Sequence, residues 1–158
     1  MIRICFVCLG NICRSPTAEG VMQKLIEQHQ LQSSILIDSA GTSSYHVGEP
    51  ADRRSSAAAA RRGFTLTSRS RQFVTSDFAH FDYIIAMDSS NLQRIKQMAS
   101  SKEQKDKCFL LREFDPQSPK NASVPDPYYG GSNGFEDVLD ICIAGCEGLL
   151  GHIRSKLP

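Results

Sequence analysis

Short apolar runs alternate with stretches of helical periodicity along this chain, a pattern that predicts parallel strands joined by helices. Residues 2–7, apolar and rich in β-branched side chains, read as the first strand, 35–37 as the second, 83–87 as the third and 108–111 as the fourth. The second run ends at Asp38-Ser39, before a loop at Ala40-Gly41. Pro16 can open a helix at its first turn with Ser15 as the cap, and Ala18, Val21, Met22, Leu25 and Ile26 then share one helical face. An Ala-rich helix is predicted over 52–62 with Gly63 as its stop, a further one over 89–98, and a closing one over 136–156. Pro116, Pro119, Pro125 and Pro127 with Gly130, Gly131 and Gly134 make 115–134 a long irregular loop, and such loops in compact domains are usually functional. The expected fold is α/β: a three-layer sandwich with a central four-stranded parallel sheet flanked by helices, a single domain over 1–158. Ligands are expected at the carboxyl ends of the strands.

Composition narrows the class without naming it. Hydrophobic residues make up 41% and charged residues 22%, which is globular rather than disordered. A formal net charge of +1 gives no general attraction to nucleic acid or membrane, so neither is expected as a partner. The charge is uneven: 51–75 holds Arg53, Arg54, Arg61, Arg62, Arg69 and Arg71 against Asp52, while 113–140 is acidic apart from Lys120. Two solvated faces of opposite sign explain this, and a basic rim attracting anionic substrates is the sharper alternative. Six cysteines in 158 residues are too few for a disulfide scaffold, and the short apolar N-terminal run breaks at Gly10-Asn11. Reducing cytoplasm is therefore expected, with thiols kept for chemistry or packing.

Residues 7–16 carry the chemical signal: Val-Cys-Leu-Gly-Asn-Ile-Cys-Arg-Ser-Pro, between a strand and a helix N-terminus. A loop at that junction turns successive backbone N–H groups inward and makes an anion cradle. Gly10 and Asn11 tolerate the left-handed backbone that such a nest needs. Arg14 can hold two phosphate oxygens with its planar fork, and it and the helix dipole both favour a thiolate at Cys8. A thiolate in a phosphate cradle can attack phosphorus and form a covalent intermediate. The plain alternative is a buried cysteine ending a strand beside an arginine that caps a helix; the strand–loop–helix context favours the phosphate site.

With these residues in place the chain resembles the low-molecular-weight protein tyrosine phosphatases. Residues 7–16 look like their signature loop, Asp126-Pro127-Tyr128-Tyr129 like their acid loop, and Asp38-Ser39-Ala40-Gly41 also matches. The resemblance implies Cys8 as nucleophile, Arg14 as phosphoryl clamp and Asp126 as the acid that protonates the departing tyrosine oxygen and then activates water. It implies Ser15 as a hydroxyl donor to the Cys8 sulfur and Asn11 as a brace holding the loop open. Leu9, Gly10, Ile12 and Cys13 complete the substrate-binding loop, with Tyr45, Tyr128 and Tyr129 as cleft walls and His46 at its edge. Ile12 matches the tyrosine-specific members, whereas arginine phosphatases carry Thr there. It also suggests that Cys13 can trap an oxidised Cys8 as a reversible disulfide, though Cys13 equally reads as a small residue that fits. Many members have a histidine in the segment matching 67–72 that supports the loop asparagine; here the nearest match is Ser68, so the brace on Asn11 is left open.

The implied substrate is a tyrosine-phosphorylated protein and the product inorganic phosphate. No cofactor or metal is expected: Cys5 and Cys8 of one strand point to opposite faces, and Cys142 and Cys146 sit among apolar helix residues. Arsenate reductase shares the loop but needs relay cysteines after the third strand, and 87–98 holds none. Arginine phosphatase and a phosphotyrosine-binding module are further alternatives; the module would have no use for both Cys8 and Asp126. The chain reads as a monomer, with weak self-association through Tyr128 and Tyr129 as the variant.

Overall fold

The computed structural model describes residues 1–128, 130, 131 and 133–158. The chain runs through β1 (Ile2–Cys8), α1 (Arg14–Gln28), β2 (Ile35–Gly41), α2 (Arg53–Arg61), α3 (Asp77–His80), β3 (Tyr83–Ala86), α4 (Ser89–Met98), α5 (Lys102–Lys105), β4 (Cys108–Leu110), a 3-10 turn (Leu111–Phe114) and α6 (Gly134–Arg154). The four strands form one parallel sheet in the order β2-β1-β3-β4, as the alternating pattern predicts.

Each face of the sheet is covered, which is why its strands are apolar on both sides. Ile4, Phe6 and Cys8 of β1 pack with Ile85 of β3 against Ala18, Val21, Met22 and Ile26 of α1 and Leu139, Cys142, Cys146 and Leu149 of α6. Cys5 and Val7 point the other way, into Phe73, Phe78, Phe81 and Ile95 of α4. Cys5 and Cys8 therefore face opposite sides, as strand geometry requires.

Most elements shift by a residue or two from the sequence reading, and two shifts have a tertiary reason. β2 continues through Asp38 and Ser39 to Gly41, because Phe6, Val7 and Cys8 pair with Ser39, Ala40 and Gly41. Helix α1 begins at Arg14, with Cys13 at the cap position and no side-chain cap bond. Ser15 is thus not a cap; its hydroxyl is drawn to Cys8 and Asn11 instead. The single turns α3 and α5 went unpredicted, being too short to show a period. The stop at Gly63 is as expected, with φ of 84°.

The chain leaves β1 for β2 on one side and later returns to β3 on the other. The carboxyl end of β1 is therefore where the strand order reverses, the place where open α/β sheets leave a crevice.

Candidate active site

At that crevice the backbone after Cys8 curls into a loop that ends in the first turn of α1. Asn11 takes the left-handed conformation, with φ of 57°, and its N–H points back to the Cys8 sulfur at 3.3 Å. Gly10 does not adopt a positive φ; it is small for another reason, since a Cβ there would meet the His46 ring at 3.0 Å. The loop also rests on the end of β2. A Cβ on Gly41 would come within 2.7 Å of the Leu9 carbonyl oxygen, so the residue closing this strand must lack a side chain. Thr42 and Ser43 then donate backbone N–H groups to the carbonyls of Cys8 and Leu9 at 2.9 Å.

Asn11 is held from several sides. Its amide nitrogen donates to Ser15 Oγ at 2.8 Å and to Ser39 Oγ at 2.9 Å, and its carbonyl accepts from the Arg71 backbone N–H at 3.0 Å. Ser70 Oγ anchors the neighbouring Gly10 carbonyl at 2.9 Å. Ser68, the residue nearest the family histidine, faces Glu19 rather than Asn11. Ser39 and the Arg71 backbone therefore brace the asparagine. Ser39 in turn donates to the Glu19 carboxylate. Burial pushes the Glu19 carboxyl above the usual range, with Asp38 adding to the rise while Ser39, Ser68 and Arg71 oppose it.

Ser15 Oγ lies 3.0 Å from Cys8 Sγ. Arg14 is buried and spans two elements, with one guanidinium nitrogen on Asp88 Oδ2 at 2.5 Å and on the Val124 carbonyl at 3.1 Å. Its other terminal nitrogen is 3.5 Å from Asp126 Oδ2. Burial would pull the Arg14 guanidinium down, but Cys8, Asp88 and Asp126 around it hold it above its ordinary value. Asp88 escaped the sequence reading; the available signal was an acid at the carboxyl end of β3, which also caps α4 through a capping box with Asn91. Asp126 is held by the Tyr128 backbone N–H at 3.1 Å, the local turn expected of Asp before Pro.

Cys8, Leu9, Gly10, Ile12, Cys13, Arg14, Tyr45, Asp126 and Tyr128 together line a cavity of about 120 Å³, with His46 at its edge. That is room for a ligand of several non-hydrogen atoms. Asn11 and Ser15 lie behind it as supports, and Tyr129 falls outside the described residues. The His46 and Tyr128 rings approach to 6.1 Å, and Glu49 fixes the far side of the imidazole at 2.8 Å. Arg54, unsuspected from sequence, stacks over Tyr128 at 5.3 Å and donates to its carbonyl at 3.2 Å.

A thiol at the floor of an anion cradle, a buried guanidinium beside it and a carboxyl at the mouth define a cysteine-type phosphate-handling site. The family model for low molecular weight phosphotyrosine protein phosphatase matches residues 3–158, and the chain belongs to that family. It is 42% identical to a low molecular weight protein-tyrosine-phosphatase of Streptomyces coelicolor, over 98% of this chain and 95% of that one. Its identity to the low molecular weight phosphotyrosine protein phosphatase of Homo sapiens is also 42%, over 93% and 92%. The fold superposes on a protein tyrosine phosphatase from Entamoeba histolytica with a TM-score of 0.93 at 44% identity, covering 99% and 100% of the two chains. Arsenate reduction and arginine dephosphorylation are not favoured by this membership.

Proposed function

We propose that the chain hydrolyses phosphotyrosine in proteins through a phospho-cysteine on Cys8, and that a single domain over 1–158 does this as a monomer in the cytoplasm. The observation that carries the reading is the convergence of Ser15 Oγ and the Asn11 N–H on Cys8 Sγ beneath a cavity that also holds Arg14 and Asp126. In the first step the Cys8 thiolate attacks phosphorus, the S–P bond forms, and the bond to the tyrosine oxygen breaks as Asp126 donates its proton to that oxygen. Arg14 and the loop N–H groups hold the equatorial oxygens. In the second step Asp126 takes a proton from water, the water oxygen attacks phosphorus, and Cys8 leaves as a thiolate stabilised by Ser15 and Asn11. Inorganic phosphate departs.

Tyr45, Tyr128 and Ile12 supply apolar walls suited to a phenol ring, which a phosphoserine would not reach. The test is hydrolysis of phosphotyrosine, phosphoserine and phosphoarginine peptides with chelator present. Preference for phosphotyrosine, complete loss in Cys8→Ser and a slowing in Asp126→Ala that is greatest for poor leaving groups are expected. Binding of the phosphotyrosine peptide without phosphate release would refute the proposal.

A further inference from the structure

The turn after β2 brings an imidazole to the mouth of the cavity. Residues 46–49 close on themselves through the Glu49 N–H on the His46 carbonyl at 2.9 Å, with Gly48 at a φ of 88° that favours glycine. The turn is pinned to the segment behind it. The Gly48 N–H donates to the Ser70 carbonyl and the Ser70 N–H to the Glu49 carbonyl, each at 2.8 Å, and Arg69 donates to the Gly48 carbonyl at 2.9 Å. Ser70 Oγ also holds the Gly10 carbonyl, so turn and cradle share one anchor. The His46 side chain, 27% exposed, is thus seated before substrate arrives.

Its two nitrogens face different ways. Nδ1 meets Glu49 Oε2 at 2.8 Å, whereas the Cδ2–Nε2 edge faces Gly10, 3.0 Å and 3.8 Å from where a Cβ there would stand. An ionised carboxylate only accepts, so Nδ1 carries the proton and the neutral ring offers Nε2 as a bare acceptor. Among the described residues Nε2 has no hydrogen-bond partner. Arg14 and the cradle N–H groups donate, which suits phosphate oxygens. Asp126, a second acceptor lining the cavity, is engaged by the Tyr128 N–H and by its proposed proton transfer. The ester of a simple phenol brings no N–H to the mouth. A phosphotyrosine inside a polypeptide does, and those N–H groups need partners once they are shielded from water. We propose that His46, oriented by Glu49, accepts a main-chain N–H of the substrate and so selects phosphotyrosine in a peptide over small aryl phosphates. The proposal deepens the reading of this cavity as a phosphotyrosine site and rests on it. Tyr45 and Tyr128 touch the ring alone and cannot make that distinction.

The test compares kcat/KM at about pH 7.5, where an ordinary imidazole is mostly neutral, for wild type, His46→Phe and Glu49→Gln, with melting curves establishing that each is folded. The substrates are phenyl phosphate, a phosphotyrosine peptide, and the same peptide N-methylated at the phosphotyrosine and at the residue after it. His46→Phe keeps a ring against Tyr128 and removes the acceptor. It should lower kcat/KM for the ordinary peptide about fivefold more than for phenyl phosphate, mainly through KM, since the bond is made alike in the ground and transition states. N-methylation should cost wild type about fivefold more than it costs His46→Phe, because donor and acceptor are two ends of one bond. Glu49→Gln leaves the tautomer unfixed and should fall between the two. Equal losses for peptide and phenyl phosphate in His46→Phe, or the same cost of N-methylation in both enzymes, would overturn the proposal while leaving the phosphatase reading intact. A wild type that hydrolyses none of the three would instead remove the proposed function, and this proposal with it.

Discussion

All six cysteines are buried, and Cys8 is the one met by both a serine hydroxyl and a loop N–H at the cavity floor. Desolvation pushes the Cys13 and Cys142 thiols up to about 12 and the Cys108 thiol up to about 11, and it raises Cys5 and Cys146 well above the usual range. At neutral pH these five stay protonated, so none of them competes with Cys8 for an added electrophile. Iodoacetate should therefore modify Cys8 alone, and inorganic phosphate in the cradle should slow the reaction; mass mapping of the alkylated protein checks this. The same shifts set a stability limit. A thiol raised in the folded state favours folding below its unfolded value near 9 and loses that contribution as pH rises toward the folded value. Melting temperature should fall progressively between about pH 9 and 12, measured against a phosphate-free buffer series. Peroxide should oxidise the Cys8 thiolate to a sulfenic acid, which Cys13 resolves with loss of water to give a disulfide. Cys13→Ser should consequently recover less activity with reductant than wild type, and equal recovery would leave Cys13 a packing residue.

At the level of elements, Asp88 has two tasks that substitution can separate. It caps α4 and anchors Arg14. Asn at this position keeps the cap but removes the charge, so Asp88→Asn should retain the helix and lower kcat/KM about tenfold by loosening the clamp. Gly41→Ala forces a methyl group against the Leu9 carbonyl and should cost about 1–3 kcal/mol of stability together with most of the activity, as read by melting and turnover. These residues also show what the sequence made legible. Cys8 and Arg14 stood out because their types and their spacing between a strand and a helix carry the chemistry themselves, whereas Asp126 was marked only by the resemblance of 126–129 to the family's acid loop. Asp88, Ser39 and Glu19 did not stand out, because strand crossovers and side-chain hydrogen bonds bring them to the loop and no local spacing records that. Ser15 was misread as a cap for a related reason. A serine before a proline is the usual start of a helix, and only the adjacent sulfur shows why its hydroxyl turns elsewhere. Asp38 and Ser39 looked like the end of a strand because their polarity contradicts a buried run, yet both continue the ladder beside β1.

Across the whole molecule, the parallel order and the reversal at β1 bring the cysteine loop, the end of β2, Asp88 and the acid loop to one crevice. The alternation of strands and helices announced that arrangement, whereas the charge pattern was less informative. The basic and acidic stretches are not two separate faces. Arg61 and Arg62 reach Glu136 and Asp140 on α6, Arg54 pairs with Asp52, and Arg71 with Asp38 and Asp77. Pairs as exposed as Arg61–Glu136 contribute little, so Arg61→Ala should shift stability by less than about 1 kcal/mol and leave turnover unchanged. The proposed hydrolysis depends most on the covalent step at Cys8. Acid quenching of wild-type enzyme during turnover of a phosphotyrosine peptide, followed by peptide mapping, tests it most directly. Phosphate on the peptide containing Cys8, and none on the same peptide from Cys8→Ser, is the predicted result. Phosphate release with that peptide unmodified throughout, or with the label on another residue, would contradict it.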